Sequence, residues 1–271
     1  MKVLDHGYVN LIEHWGADSR IIEAARMSTN KGFNGWGPVK KCKKCNYTVG
    51  THGSGAARVL LVADRGAHCH ALGQSHDFGK EKAGDERLLK YLYEHKHSTP
   101  FEMAGLIIEV KAPIFVFRQW HRHRTFSYNE MSARYTPLPD DNYVPDVSRC
   151  LVVQSKNKQA NSANDKELTH EMVLGWLEKL EELYKHSQQV YDDGLAIGIP
   201  KELARLPVTV GRYSVMRAST NLRNWLAFLT LRMDSHAQWE IQVFAEAVYE
   251  LLCEKFPKTM ELFDAGRLGI K

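Results

Sequence analysis

The chain has 271 residues, 44% of them hydrophobic, and its 36 Lys+Arg against 32 Asp+Glu give a formal net charge of +4. That length can bury a full core as one large domain or two small ones, and the mild positive excess fits an anionic small molecule as well as it fits nucleic acid. No run of about 18 apolar residues occurs, which excludes a membrane-spanning helix. MKVLDHGYVNLIEHWG lacks an apolar signal core, and five cysteines, an odd number, do not make a secreted disulfide framework. A cytoplasmic protein with no membrane partner is the expectation.

Residues 8–15, YVNLIEHW, read as a first strand, and Asp18 as the cap of a short helix carrying Ile21, Ile22, Ala25 and Met27. From Gly32 to Gly84 the texture changes: this stretch holds ten of the nineteen glycines and three of the five cysteines. Only LLVADRG near Leu60 looks regular, so residues 31–84 read as an irregular Gly/Cys/His-rich insertion in a single domain spanning 1–271. Asp85 starts a helix with Leu88, Leu89 and Leu92 at helical spacing, ending near His95 to His97 before Pro100. GLIIEVK then alternates Leu106, Ile108 and Val110 against Ile107, Glu109 and Lys111, as a strand does. Pro113 opens a helix that turns Ile114, Phe117 and Trp120 inward and sets Arg118 and Arg122 on one face.

After Arg124 the period is lost, and Pro137 and Pro139 mark a loop. Residues 156–166 are a polar link. A long amphipathic helix follows, with Val173, Trp176, Leu177, Leu180, Leu183, Tyr184, Val190 and Tyr191 forming its apolar stripe as far as Gly194 and Gly198. A strand is expected over Val208 to Met216, then helices over Leu222 to Met233 and Ala237 to Cys253, the latter burying Ile241, Phe244, Val248 and Leu251. Long helices and a few strands without a regular βαβ rhythm indicate an α+β fold with a mixed or antiparallel sheet.

FVFRQWHRHRTFSYNEMSARY, residues 115–135, packs four arginines and two histidines among aromatics. Guanidinium forks suit bidentate binding of phosphate or carboxylate, and Asn129, Glu130 and Ser132 could read the polar edges of a base. The cluster sits where a helix gives way to a loop, a normal place for a binding site. The plain alternative is a solvated basic face or a nucleic-acid patch.

Within it, Arg122-His123-Arg124 is followed after seven residues by Ser132, an R-H-R-x7-S pattern. Upstream stands His97-Ser98-Thr99-Pro100-Phe101-Glu102, and downstream LRMDSHAQWEIQ from Leu231 to Gln242. In these three motifs and their order the chain resembles the flavin-dependent thymidylate synthases. The resemblance implies an α+β homotetramer that methylates dUMP to dTMP, with FAD as cofactor, methylenetetrahydrofolate as one-carbon donor and NADPH as reductant. It implies that Gln119, Arg122, Glu130, Ser132, Arg134, Arg205 and Arg232 hold the dUMP. His97, Thr99, Arg122, His123, Arg124, Glu130, Asn221 and Arg223 match flavin-contacting positions. Arg232 matches the residue credited with activating the pyrimidine, where a fixed cation favours the ionised imide. Ala227 stands where many members carry a polar side chain, and Met103 where some carry histidine.

A serine among arginines is more simply a phosphate contact than a nucleophile, and Cys150 and Cys253 read as core residues, so no enzyme nucleophile is expected. In the insertion, Cys42-Lys43-Lys44-Cys45 followed by His70 and His76 has the grammar of a zinc site, with an exposed loop carrying incidental thiols as the alternative. The rival functions are a related pyrimidine-hydroxymethylating variant and a zinc-containing nucleic-acid-binding protein; no nucleic-acid partner is expected on the leading reading.

Overall fold

The structure is a computed structural model that describes residues 1–44, 48–50, 75–151 and 168–269. Its strands are β1 (Lys2–Val3), β2 (Gly7–Trp15), β3 (Val39–Lys41), β4 (Thr48–Gly50), β5 (Gly105–Pro113), β6 (Ser127–Glu130) and β7 (Tyr213–Asn221). One sheet has the order β1-β2-β5-β7-β6, with β1–β2 and β6–β7 antiparallel; β3 and β4 pair separately, also antiparallel. The helices are α1 (Asp18–Arg26), α2 (Glu86–Glu94), α3 (Ser98–Phe101), α4 (Ile114–Trp120), α5 (Val147–Leu151), α6 (His170–Ala196), α7 (Lys201–Ala204), α8 (Leu222–Arg232), α9 (Trp239–Lys255) and α10 (Pro257–Arg267). The chain is thus a mixed α and β structure. It divides into two compact units: Met1–Ile12, Ile107–Ser219 and Phe228–Val248 form one, and Glu13–Leu106, Thr220–Ala227 and Tyr249–Lys271 the other. None of the described helices is long and apolar enough to cross a membrane.

In the first unit, β5 and β7 bury one row each: Ile108 and Val110 on β5 and Met216 and Ala218 on β7 are inaccessible to solvent. Trp120, Phe228 and Phe244 complete this core, the indole stacked on Phe228 at 4.8 Å and edge-on to Phe244 at 6.3 Å. Gly7 must be glycine, because a Cβ there would lie 2.5 Å from the Val3 carbonyl oxygen. Helix α4 begins after Pro113, whose extended ψ of 145° makes it the N-cap and not the first helical residue. The helix ends at Trp120, so Arg122 lies in the following turn and does not share a helical face with Arg118. The expected strand over Val208 to Met216 is displaced: β7 starts only at Tyr213. Gly211 accepts no side chain because the Tyr184 hydroxyl occupies that space, and buried Arg212 turns to the Pro139 carbonyl at 2.8 Å and Asp140 at 2.9 Å.

Helix α6 departs from its expected stripe. Val173, Leu177 and Tyr191 are buried, but Trp176, Leu183 and Val190 are exposed together with Met172, forming a second apolar row at spacings of four and seven.

In the second unit, Asp18 is not the cap of α1, whose N-cap is Ala17. Its buried carboxylate serves the other end of the chain, accepting from the backbone N–H groups of Lys258 at 2.8 Å and Thr259 at 3.1 Å and from the Thr259 hydroxyl. These are first-turn donors of α10, which Pro257 opens. Asp85 likewise works at a distance, pairing with Arg26 and accepting from the Asn34 backbone and side-chain amides. The described part of the expected irregular stretch is more regular than its composition indicates: besides β3 and β4, Val39 bridges Lys82 and Cys42 bridges Phe78. LLVADRG near Leu60 and the 156–166 link lie outside the described residues.

Candidate active site

The turn after α4 is built from backbone bonds and one phenol. His123 N–H donates to the Trp120 carbonyl at 2.9 Å, closing the helix end. The Tyr128 hydroxyl donates to the carbonyls of both Trp120 (2.8 Å) and His123 (3.0 Å), satisfying acceptors that a helix terminus leaves open. Tyr128 reaches them from β6, where it stands opposite Ala218, and it stacks on buried Phe126 at 5.7 Å. Strand β6 falls in a stretch where no element is expected from the sequence. Burial raises the Tyr128 pKa, with Arg232 opposing, so the phenol stays a donor. On this turn Arg122 and Arg124 are exposed, and His123 tucks in edge-on against Phe228 at 4.9 Å.

Arg232, in the last turn of α8, reaches the same place. Its Nε donates to His123 Nε2 at 2.9 Å and its Nη2 to the Gln119 carbonyl at 2.9 Å. Burial, and then the Arg232 charge, lower the His123 pKa from 6.5 to about 4. The imidazole is therefore neutral, with Nε2 as acceptor and the proton on Nδ1. Burial also lowers the Arg232 pKa; Tyr128 works against that shift and Arg122 adds to it. A guanidinium remains charged through such a shift. Two bonds thus hold a half-buried cation, and no acceptor among the described residues takes Nη1.

A second line of polar contacts runs from Gln119. Its amide nitrogen donates to Gln238 Oε1, and Gln238 Nε2 donates to Glu240 Oε2 at 2.8 Å. Buried Glu240 is also held by Arg149, at 2.9 Å and 3.3 Å, and by the Tyr143 hydroxyl at 3.2 Å. Gln238, Glu240, Arg149 and Tyr143 are polar residues that sequence reading did not single out, although the first two lie inside the LRMDSHAQWEIQ motif.

Ser132, Arg134 and Arg205 form another group. Ser132 Oγ accepts from the Arg134 N–H at 3.3 Å, Arg134 Nε pairs with Glu202 at 3.0 Å, and Arg205 Nε donates to the Glu202 carbonyl at 3.3 Å. Two expected anion-binding arginines therefore meet at the short α7. Glu130 ends β6 with an exposed side chain, opposite Met216.

Four expected residues belong to the second unit. His97 is the N-cap position of α3, its ring 5.6 Å from that of Tyr91. Thr99 lies within α3. Asn221 caps α8, its Oδ1 accepting from the Asn224 N–H at 3.0 Å, and Arg223 pairs with Glu102 of the TPFE motif at 3.0 Å.

Of the possible zinc ligands, Cys42 is buried and His76 lies near Phe78, with ring centroids 5.6 Å apart; Cys45 and His70 lie outside the described residues. Among the described residues no three His, Cys, Asp or Glu side chains converge as a cation site. Cys150 and Cys253 are both partly exposed, and burial raises the pKa of each, which does not favour a thiolate.

Comparison with known proteins places these motifs in a family. Residues 10–258 match the family described as "Thymidylate synthase complementing protein". A flavin-dependent thymidylate synthase of Thermosipho africanus is 35% identical over 262 residues, covering 97% of this chain and 92% of the relative. One from Gluconobacter oxydans is 34% identical over 275 residues, covering 99% and 73%. Among solved structures, the UMP/dUMP methylase PolB from Streptomyces cacaoi bound with 5-Br dUMP superposes with a TM-score of 0.68 at 29% identity, covering 98% of this chain and 97% of that one.

Proposed function

We propose that this chain, which belongs to the thymidylate synthase complementing protein family of flavin-dependent thymidylate synthases, methylates dUMP to dTMP with bound FAD, methylenetetrahydrofolate as one-carbon donor and NADPH as reductant. The observation that carries the reading is the doubly anchored Arg232 guanidinium beside the R-H-R turn. With His123 and the Gln119 carbonyl fixing its plane, the cation meets the uracil imide pre-oriented. It stabilises negative charge on the ring and so raises electron density at the carbon to be alkylated. This activation needs no protein nucleophile.

The dUMP phosphate falls to Ser132, Arg134 and Arg205, whose donors suit phosphate oxygens, with Gln119, Arg122 and Glu130 on the rest of the nucleotide. The residues present fit a flavin: Arg122 and Arg124 are exposed guanidinia with no carboxylate partner among the described residues, as a diphosphate requires. His97, Thr99, His123, Glu130, Asn221 and Arg223 complete the proposed flavin set. When bound, the flavin supplies hydride transfer between NADPH and the one-carbon unit. The exposed row Met172, Trp176, Leu183 and Val190 supports self-association, and we assign it to a homotetramer interface. Residues 1–271 then act as one synthase domain, with 31–84 as an insertion.

The test is direct. Purified protein should show a flavin spectrum, oxidise NADPH faster when dUMP is added, and yield dTMP by mass spectrometry. Protein that cannot be loaded with flavin sinks the reading, and a hydroxymethylated product replaces it with the hydroxymethylating one.

A further inference from the structure

The polar line from Glu240 to Gln119 has a direction, and the direction limits what Gln119 can bind. An ionised carboxylate only accepts hydrogen bonds. Burial alone would raise the Glu240 pKa, but the bonds from Arg149, its own backbone amide and Gln238 hold it below the usual carboxylate range. Glu240 therefore faces donors on every side: Tyr143 and Arg149 Nε at Oε1, Arg149 Nη2 and Gln238 Nε2 at Oε2. Because the Gln238 nitrogen must face Glu240, its oxygen must face Gln119. Gln119 then has to present its nitrogen to Gln238. Its oxygen is left over, and no donor among the described residues reaches it.

We propose that Glu240, acting through Gln238, is a positioning device that fixes the Gln119 amide so that its oxygen is offered to a hydrogen-bond donor of the bound nucleotide. Resting on the reading that Gln119 contacts the nucleotide, this deepens that reading by giving the amide oxygen a donor as its partner. Phosphate oxygens only accept and so cannot meet this oxygen, and a reversed amide would break the contact with Gln238. The donors a uridine nucleotide offers are a sugar hydroxyl and the ring N3–H. Gln238 and Glu240 need not touch the ligand; they act by denying Gln119 its other orientation, which otherwise costs little.

Gln238→Leu removes the relay at an exposed position and leaves Gln119 in place. Binding of dUMP, of 2′,3′-dideoxyuridine 5′-monophosphate and of N3-methyl-dUMP to the flavin-loaded protein is measured by titration for the wild type and this variant, with melting temperature as the control for folding. In the wild type, deleting the donor that meets Gln119 should weaken binding about tenfold relative to dUMP. In Gln238→Leu that penalty should shrink to about twofold or less for one analogue, which names the donor, while the other analogue's penalty is unchanged. A purely structural role for Gln238 would shift all three affinities together. Equal penalties in wild type and variant for both analogues overturn the proposal and leave the functional reading intact. Failure of the wild type to bind dUMP at all overturns both. Should the variant melt well below the wild type, Glu240→Gln, which keeps an acceptor for Arg149 but no longer dictates the amide's direction, is expected to give the same loss of discrimination, and unchanged penalties there overturn the proposal.

Discussion

Arg232 Nε donates to His123 Nε2 at 2.9 Å, so one side chain sets both the tautomer of the other and its charge. Protonating His123 would place two donors face to face. The folded-state pKa of about 4 lies below the ordinary 6.5, so the folded form resists the proton that the unfolded chain accepts. Stability from this residue is fully present above about 6.5 and is lost as pH falls toward about 4. His123→Gln keeps an acceptor for Arg232 and removes the titration. Urea midpoints measured across that window should fall less steeply with acid in the variant than in the wild type, and parallel curves would contradict the assignment.

Lysine cannot replace Arg232. An ammonium has no planar fork with which to hold His123 and the Gln119 carbonyl while facing a ligand. Arg232→Lys should lower turnover by at least about 100-fold, and Arg232→Ala should abolish thymidylate formation, with the flavin absorbance retained in both. Near-normal turnover in either would remove this cation from the mechanism.

Arg134 is paired with Glu202 before any ligand arrives, both side chains being more than half exposed. Such a pair is worth about 0–1 kcal/mol, whereas a charge-assisted bond to phosphate contributes about 1.5–3 kcal/mol, so the phosphate wins. Arg134→Ala should raise the dUMP Kd about 10- to 100-fold. Glu202→Gln frees the arginine and should tighten binding by less than about fivefold, most visibly at low salt. Titrations at two ionic strengths check both, and weaker binding in Glu202→Gln would count against competition for Arg134.

Removing the Asp18 carboxylate strands two backbone N–H groups and the Thr259 hydroxyl in a buried site. Asp18→Ala should cost about 2–4 kcal/mol, read as a lower denaturation midpoint, with little change in nucleotide affinity measured where the variant is still folded.

How much of this was legible in the sequence depended on how far each signal had to reach. The alternation of Leu106, Ile108 and Val110 and the stripe of Ile241, Phe244 and Val248 are local, and all six residues are buried as their spacing requires. The family motifs are local too, and they carried the flavin-dependent thymidylate synthase assignment. Asp18 was misread because an aspartate before an apolar period looks like a cap for the helix that follows, while its partner lies 241 residues away. Gln238 and Glu240 gave no signal of their own, since their meaning comes from Gln119 and Arg149 in other segments. Trp176, Leu183 and Val190 show a further limit. Spacing shows that a helix has an apolar row, and says nothing about whether this chain or another molecule covers it.

The contact between Asp18 and Thr259 also sets an order of events during synthesis. A ribosome makes α1 long before α10 exists, so the Asp18 carboxylate must wait in water while the 241 residues up to Thr259 are made. The unit that these two residues join cannot close before α10 has been made, and a chain truncated before Pro257 would leave α1 with a carboxylate whose burial nothing else among the described residues compensates.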